Sequence, residues 1–197
     1  MEITPESLRE QIPYYLTTDQ KDGIIKALED FPVEINYYLN AYQDELLQGD
    51  GWTKLQLRRF ENGEKESILG IILSNTCDVA PENKRDFPVY ITFAPLIPLP
   101  AYVSLLGQSG VNPSQVQDKV TSIKGQRVTS IFFLPAGSGL QEDHIALLDQ
   151  LYTMPVKVFE LETEKSKFFT LSLIGFYLFV FKLSVHFCRF HENVARA

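Results

Sequence analysis

The most polar cluster behind an apolar run is Ser74-Asn75-Thr76-Cys77-Asp78, followed by Pro81-Glu82-Asn83-Lys84-Arg85-Asp86. Strand ends that feed irregular loops are where rigid scaffolds present chemistry. Cys77 beside Asp78 has the residue types of a nucleophile and its neighbour, provided that a histidine approaches. An adjacent carboxylate raises a thiol pKa, however, which is the opposite of what a reactive thiolate requires. The competing reading gives Asn75 and Asp78 to turn amides and has Cys77 fill a small buried space. Cations that would bring a phosphate to this cluster are Arg58 and Arg59 from an earlier strand and Lys84 and Arg85 from the following loop. Ser74, Asn75, Thr76, Cys77, Asp78, Lys84, Arg85, Arg58 and Arg59 are therefore the candidate binding residues, and no catalytic residue is assigned.

Lys182, His186 and Arg189 recur at i, i+4 and i+7, a cationic stripe on an otherwise apolar helical pattern. Such a stripe suits a phosphate or a pH sensor, but packed stems with charges snorkelling outward is the simpler expectation. His144 starts an apolar run, and His191 follows the stripe beside Glu192; neither has metal-ligand company. Cys77 and Cys188 lie far apart in no ligand spacing, so structural zinc is excluded and reduced thiols are expected. Gly107-Gln108-Ser109-Gly110 lacks the lysine and the strand-to-helix setting of a phosphate loop. No metal and no cofactor is expected. The aromatic N-terminal third, with Tyr14, Tyr15, Phe31, Tyr37, Tyr38, Tyr42 and Trp52, has few interleaved cations and is expected to pack in a core.

These groups must be held by a chain of 197 residues, 45% apolar and 22% charged, an ordinary globular composition and the length of one domain. A formal charge of −7 has the wrong sign for broad attraction to a phosphate backbone. Thr4 to Leu47 reads as a two-helix preface, with Asp19 as a cap before Ile24, Ile25 and Leu28, and with Ile35, Leu39, Tyr42 and Leu46 on a second helix. Period then changes. Residues 52–57 alternate, Glu61-Asn62-Gly63-Glu64 is a hairpin turn, and apolar runs at 68–73, 89–94, 128–134 and 144–148 have strand length. Pro88, Pro95, Pro98, Pro100 and Pro135 are placed at the edges of these runs. Residues 99–126 form an insertion, with a short helix at Tyr102 to Leu106 and a polar loop. Ile71, Leu73, Tyr90, Ile91, Phe132 and Leu147 are expected in the core of a bent antiparallel sheet.

Thr170 or Ser172 is expected to cap a last helix from about Leu173 to Val194. The 21-residue apolar stretch from Phe168 to Cys188 has the length of a membrane span. Lys182 sits near its middle, at a cost of about 2.5–3.5 kcal/mol on insertion scales, so a buried or interface helix is expected instead. The start Met-Glu-Ile-Thr-Pro-Glu carries no secretory signal pattern, and a cytoplasmic location is expected.

Four stretches resemble the MazF/PemK family of toxin endoribonucleases. Gln48-Gly49-Asp50-Gly51-Trp52 resembles the family's opening Gly-Asp, and Ile71-Ile72-Leu73-Ser74-Asn75 the central strand ending in Leu-Ser-Asn. Tyr90-Ile91-Thr92-Phe93-Ala94-Pro95-Leu96 resembles the next strand, and residues 140–153 the late strand leading into Asp149-Gln150-Leu151-Tyr152-Thr153. The resemblance implies an α+β chain with a small antiparallel SH3-like barrel over residues 48–160, N-terminal helices over 1–47 and a long C-terminal helix within 161–197. It also implies a basic segment before the central strand and a hydroxyl residue after the next one, which the family uses to cleave RNA. This chain has Glu64-Lys65-Glu66-Ser67 and Leu96-Ile97-Pro98 there. Metal-free cleavage needs cations on the phosphorane as well as proton donors and acceptors, so the departures imply that catalysis is lost.

The resulting expectation is a non-catalytic accessory module of a prokaryotic toxin-antitoxin, mobile-element or phage-defence system. It forms a homodimer or binds a hetero-partner protein, and it binds RNA weakly. An active endoribonuclease with relocated residues and a structural subunit that binds through aromatic helices are the alternatives.

Overall fold

The computed structural model describes residues 36–80 and 86–187. Eight strands form one sheet: β1 (Tyr38–Leu39), β2 (Gly51–Arg58), β3 (Lys65–Ile72), β4 (Tyr90–Pro98), β5 (Ile131–Leu134), β6 (His144–Leu147), β7 (Tyr152–Pro155) and β8 (Lys167–Leu171). Their order is β1-β8-β2-β3-β4-β6-β5, β7 pairs with β4 off this path, and every pairing is antiparallel. Five helices accompany them among the described residues: α1 (Thr76–Val79), α2 (Leu99–Gln108), α3 (Pro113–Lys124), α4 (Val156–Glu160) and α5 (Leu173–Phe187). The chain is thus α+β with a curled, half-closed antiparallel sheet, and no helix among the described residues is long and apolar enough to cross a membrane.

The curl buries apolar side chains on both faces. Inside it, Trp52, Leu55, Ile72, Val79, Ile91, Phe93, Met154 and Phe159 form one cluster, and the Gln56 N–H reaches the Met154 sulfur at 3.5 Å where β2 approaches β7. On the outer face Ile71, Phe132, Leu134 and Phe169 pack against Leu178 and Phe179 of α5, and a third cluster joins α2 and α3 to β5 and β6. Ile71, Ile91 and Phe132 are in the core as expected, whereas Tyr90 is half exposed because it starts β4 beyond the end of β3.

β4 runs through Pro95 and Pro98, which were expected only at strand edges. The register explains the tolerance. Thr92 and Ala94 turn their backbone groups toward β3, so Pro95 turns its nitrogen toward the opposite edge. There the neighbour changes from β7, paired up to Phe93, to β6, paired from Leu96. The nitrogen of Pro98 faces the β3 side, past the last β3–β4 pair, Gly70 with Pro95. Neither missing N–H breaks a ladder.

Three expected elements are corrected. Residues 36–47 are not helical: Tyr38–Leu39 pairs with β8, because Tyr37 O accepts from Ser172 N–H at 2.8 Å and edge pairing outweighs the helical spacing of Leu39, Tyr42 and Leu46. Residues 1–35, including the Asp19 cap, lie outside the described residues. The expected polar loop after α2 is helix α3. Asn112 Oδ1 accepts from Ser114 N–H at 3.0 Å, Pro113 opens the first turn, and Ile123 is buried. The C-terminal segment holds strand β8 before its helix, so the sheet extends past residue 160 to join β2 and β1.

α5 begins where Ser172 Oγ accepts from Gly175 N–H at 3.1 Å; Thr170, the other expected cap, belongs to β8. Gly175 is required there because a Cβ would come within 2.5 Å of Tyr37 O. Gly175, Leu178, Phe179 and Lys182 form the buried face at i, i+3, i+4 and i+7. Lys182 was expected to snorkel outward. Instead it is 5% exposed, and its ammonium donates to Gln126 O at 2.6 Å. Gln126 is the joint of this region. Its side chain donates to Phe133 O at 2.8 Å and accepts from Phe133 N–H at 3.1 Å, so one amide stands in for a strand on the open edge of β5.

Burial pushes the Lys182 amine down to about 8. Between that value and the ordinary 10.5 the unfolded chain holds more protons, so stability rises with pH across this window. The charged form carries a burial cost below pH 8 that is relieved above it. Denaturant unfolding should therefore show stability increasing from pH 7.5 to 9.5 by up to about 2 kcal/mol, and Lys182→Met should abolish most of that rise.

Candidate functional site

The 74–78 cluster sits where β3 ends. Leu73 N–H donates to Thr92 O at 2.8 Å, and Ser74 Oγ accepts from Thr92 N–H at 2.7 Å, so the serine prolongs the β3–β4 ladder by one rung. Asn75 Oδ1 accepts from Cys77 N–H at 2.9 Å and caps α1. Thr76 Oγ1 accepts from Gln48 N–H at 3.0 Å, while Gln48 Nε2 donates to Leu73 O at 2.7 Å. Val79 anchors the short helix in the inner core. Ser74, Asn75 and Thr76 thus hold the strand end against the 46–50 turn.

Cys77 is exposed, which corrects the expectation that it fills a buried space. α1 turns it away from the core because Val79, two residues on, takes the inward position. Asp78 lines a shallow cleft of about 400 Å³ with Asp86, Phe87, Pro88 and Val89. Lys84 and Arg85 lie outside the described residues.

Arg58 and Arg59 are not brought to this cluster. β2 and β3 are antiparallel, with Gly51 opposite Ile71 and Arg58 opposite Lys65, so the arginines lie at the far end of the hairpin. Ser74 lies nine positions beyond Lys65, and at roughly 3.4 Å per residue that is on the order of 30 Å along the strand. Arg59 is also paired with Glu66. Lys54, Lys124 and Lys167 hold Glu164, Asp143 and Asp50. His144 is buried, with Nδ1 at 2.7 Å from Glu142 O. Arg189 and His191 lie outside the described residues. No cluster of three metal-ligating side chains occurs among the described residues.

Two features had no reading in the sequence. One is a buried ion pair: Lys167 Nζ lies 2.7 Å from Asp50 Oδ2, with side-chain exposures of 2% and 0%. The lysine also donates to Tyr42 O at 2.6 Å and Thr170 Oγ1 at 3.3 Å, and lies 5.3 Å from the Trp52 ring centroid. Leu47 N–H donates to the same Asp50 oxygen at 2.8 Å. Burial pushes the Asp50 carboxyl up, against the opposing pull of Lys167 and Leu47. With no access to solvent this pair ties the 42–50 segment, β2 and β8 together and reaches no substrate. The Gly49-Asp50-Gly51 turn was legible, but its partner lies 117 positions away on an unexpected strand.

The other is an open cleft of about 650 Å³ between β1 and the 135–138 loop, lined by Asn36, Tyr37, Tyr38, Leu39, Asn40 and residues 135–138. Tyr38 Oη donates to Pro135 O at 2.5 Å, Tyr37 Oη accepts from Gln126 Nε2 at 3.4 Å, and burial pushes both tyrosine phenols up, which keeps them protonated. Its lining has no charged side chain among the described residues.

Neither a protein-family model nor a curated protein matches this chain.

Proposed function

We propose that this chain is a MazF/PemK-like SH3-type barrel that serves as a non-catalytic binding module in a prokaryotic toxin-antitoxin, mobile-element or phage-defence setting. The observation that carries the reading is the charge arrangement along the β2–β3 hairpin. Where the family resemblance calls for a basic segment, Glu64, Lys65 and Glu66 stand, and the nearby Arg59 is occupied by Glu66. The polar strand end, on the order of 30 Å away along the strand, spends its hydroxyls on backbone amides. A pentavalent phosphorane therefore has no assembled cations and no free hydroxyl to meet among these groups. The curl of β2, β3, β4 and β7 around Leu55, Ile91, Phe93 and Met154 supports the barrel reading.

The purified protein, incubated without metal with structured and unstructured RNA, should leave both intact. Its RNA affinity at about 150 mM salt should be weaker than micromolar, in the nonspecific range. Cleavage would establish the endoribonuclease reading instead, a submicromolar complex would overturn the weak-binding expectation, and loss of that affinity on Arg85→Ala would name the site. A second reading, a structural subunit docking through its last helix, draws on the half-exposed Leu173 and Phe187 at the ends of α5. Under it, Phe187→Asp leaves a folded chain whose mass in solution drops.

A further inference from the structure

We propose that the tip of the β2–β3 hairpin is a protein-docking finger whose anchor, Phe60, seats in an apolar socket of a different protein with both signs of charge on its rim. This rests on the binding-module reading and names its contact surface. Phe60 is 97% exposed, more than any other large apolar side chain among the described residues. Exposed apolar side chains are common, but this one stands on a built turn. Arg59 N–H donates to Glu64 O at 2.9 Å, and Gly63 N–H to Arg59 O at 2.9 Å. Glu64 N–H donates to Asn62 Oδ1 at 3.0 Å, and Asn62 Nδ2 to Glu64 Oε2 at 2.7 Å. Gly63 takes the left-handed φ of +74° that the turn needs, and the Arg59–Glu66 pair staples the strands beneath it.

A preorganised turn gives up little backbone freedom on docking, and an aromatic anchor of this kind supplies most of the binding free energy of a small interface. Charge decides the class of partner. Within residues 58–66, Arg58, Arg59 and Lys65 are balanced by Glu61, Glu64 and Glu66. A phosphate backbone or an anionic bilayer needs a net cation, and a lone phenylalanine buries too little to hold a lipid surface. A protein pocket with a mixed-charge rim complements the tip in both respects. Of the two clefts described above, one has an uncharged lining and the other carries only Asp78 and Asp86 among the described residues, so neither offers such a rim.

The test places the photoreactive p-benzoylphenylalanine at position 60 of the full chain in cells of the source organism, with the adduct identified after irradiation. The adduct protein is then purified and titrated calorimetrically against wild type, Phe60→Ser, Phe60→Trp and Glu61→Gln. The expected adduct is one different protein, bound about 30-fold or more weakly by Phe60→Ser. Phe60→Trp and Glu61→Gln should stay within a few-fold, and the unfolding midpoint of Phe60→Ser should match wild type. No adduct, or an adduct to lipid or to a second copy, overturns the proposal. A partner bound equally by Phe60→Ser removes the finger and leaves the binding module standing. A nucleic-acid adduct accompanied by RNA cleavage overturns both.

Discussion

Phe179→Asp is expected to abolish the folded state. Phe179 is fully buried, its ring lies 5.1 Å from that of Phe132, and its neighbours in the outer core are the apolar side chains of β3, β4, β5 and β6. A carboxylate placed there loses the packing of a large ring, about 3–5 kcal/mol for a truncation alone. It also buries a charge among groups that, among the described residues, offer it no counter-ion apart from Lys182, one turn further along α5. The combined loss approaches the whole stability of a typical domain, about 5–15 kcal/mol. Circular dichroism and size-exclusion chromatography should show an unfolded or aggregated chain. Phe187→Asp, at a half-exposed position of the same helix, should cost less than about 1 kcal/mol. A folded Phe179→Asp protein would mean that α5 does not pack on the sheet as described.

Lys167→Met is expected to cost about 3–5 kcal/mol, because it leaves Asp50 buried without its counter-ion. The variant also has a signed pH dependence. Burial already pushes the Asp50 carboxyl up, and without Lys167 it rises further. A carboxyl whose folded pKa exceeds its unfolded value stabilises below the unfolded pKa, and that contribution is lost as pH rises through the folded one. Lys167→Met should therefore be less impaired near pH 5 than near pH 8. The double change Asp50→Leu with Lys167→Met should recover much of the loss, since apolar replacement of a whole buried pair is often neutral or stabilising. Trp52 is the sole tryptophan and sits against Lys167, so its emission follows each unfolding transition directly. Equal stability of the single and double variants would show that the pair contributes nothing at this site.

What was legible in the sequence is what short-range chemistry specifies. Alternation over residues 52–57 and the Asn62-Gly63 turn determine the β2–β3 hairpin, with Gly63 at φ +74°. Continuous apolar runs determine β3, most of β4 and β6, and Ser172 marks the start of α5 through one hydroxyl. The Asn112-Pro113 start of α3 was equally local, since an asparagine cap and a proline in the first turn are both in the sequence. Candidate residues Ser74, Asn75 and Thr76 were rightly placed at a strand end, where polar side chains meet exposed amides.

Tertiary structure alone decided the rest, because the deciding partner is remote in the chain. Residues 38–39 carry a helical spacing yet join β8, whose backbone lies more than 130 positions later. Lys167–Leu171 reads as part of one long apolar stretch until the edges of β2 and β1 claim its amides. Arg58 and Arg59 are near Ser74 in sequence, and the antiparallel register sends them to opposite ends of the hairpin. Lys182 looked like a surface charge, and it turned inward because the Gln126 carbonyl beyond α3 offers its ammonium an acceptor under the helix. Spacing along one element determines which residues share a face. Which face is buried, and which charges meet, follows from desolvation and pairing between elements that only the folded chain brings together.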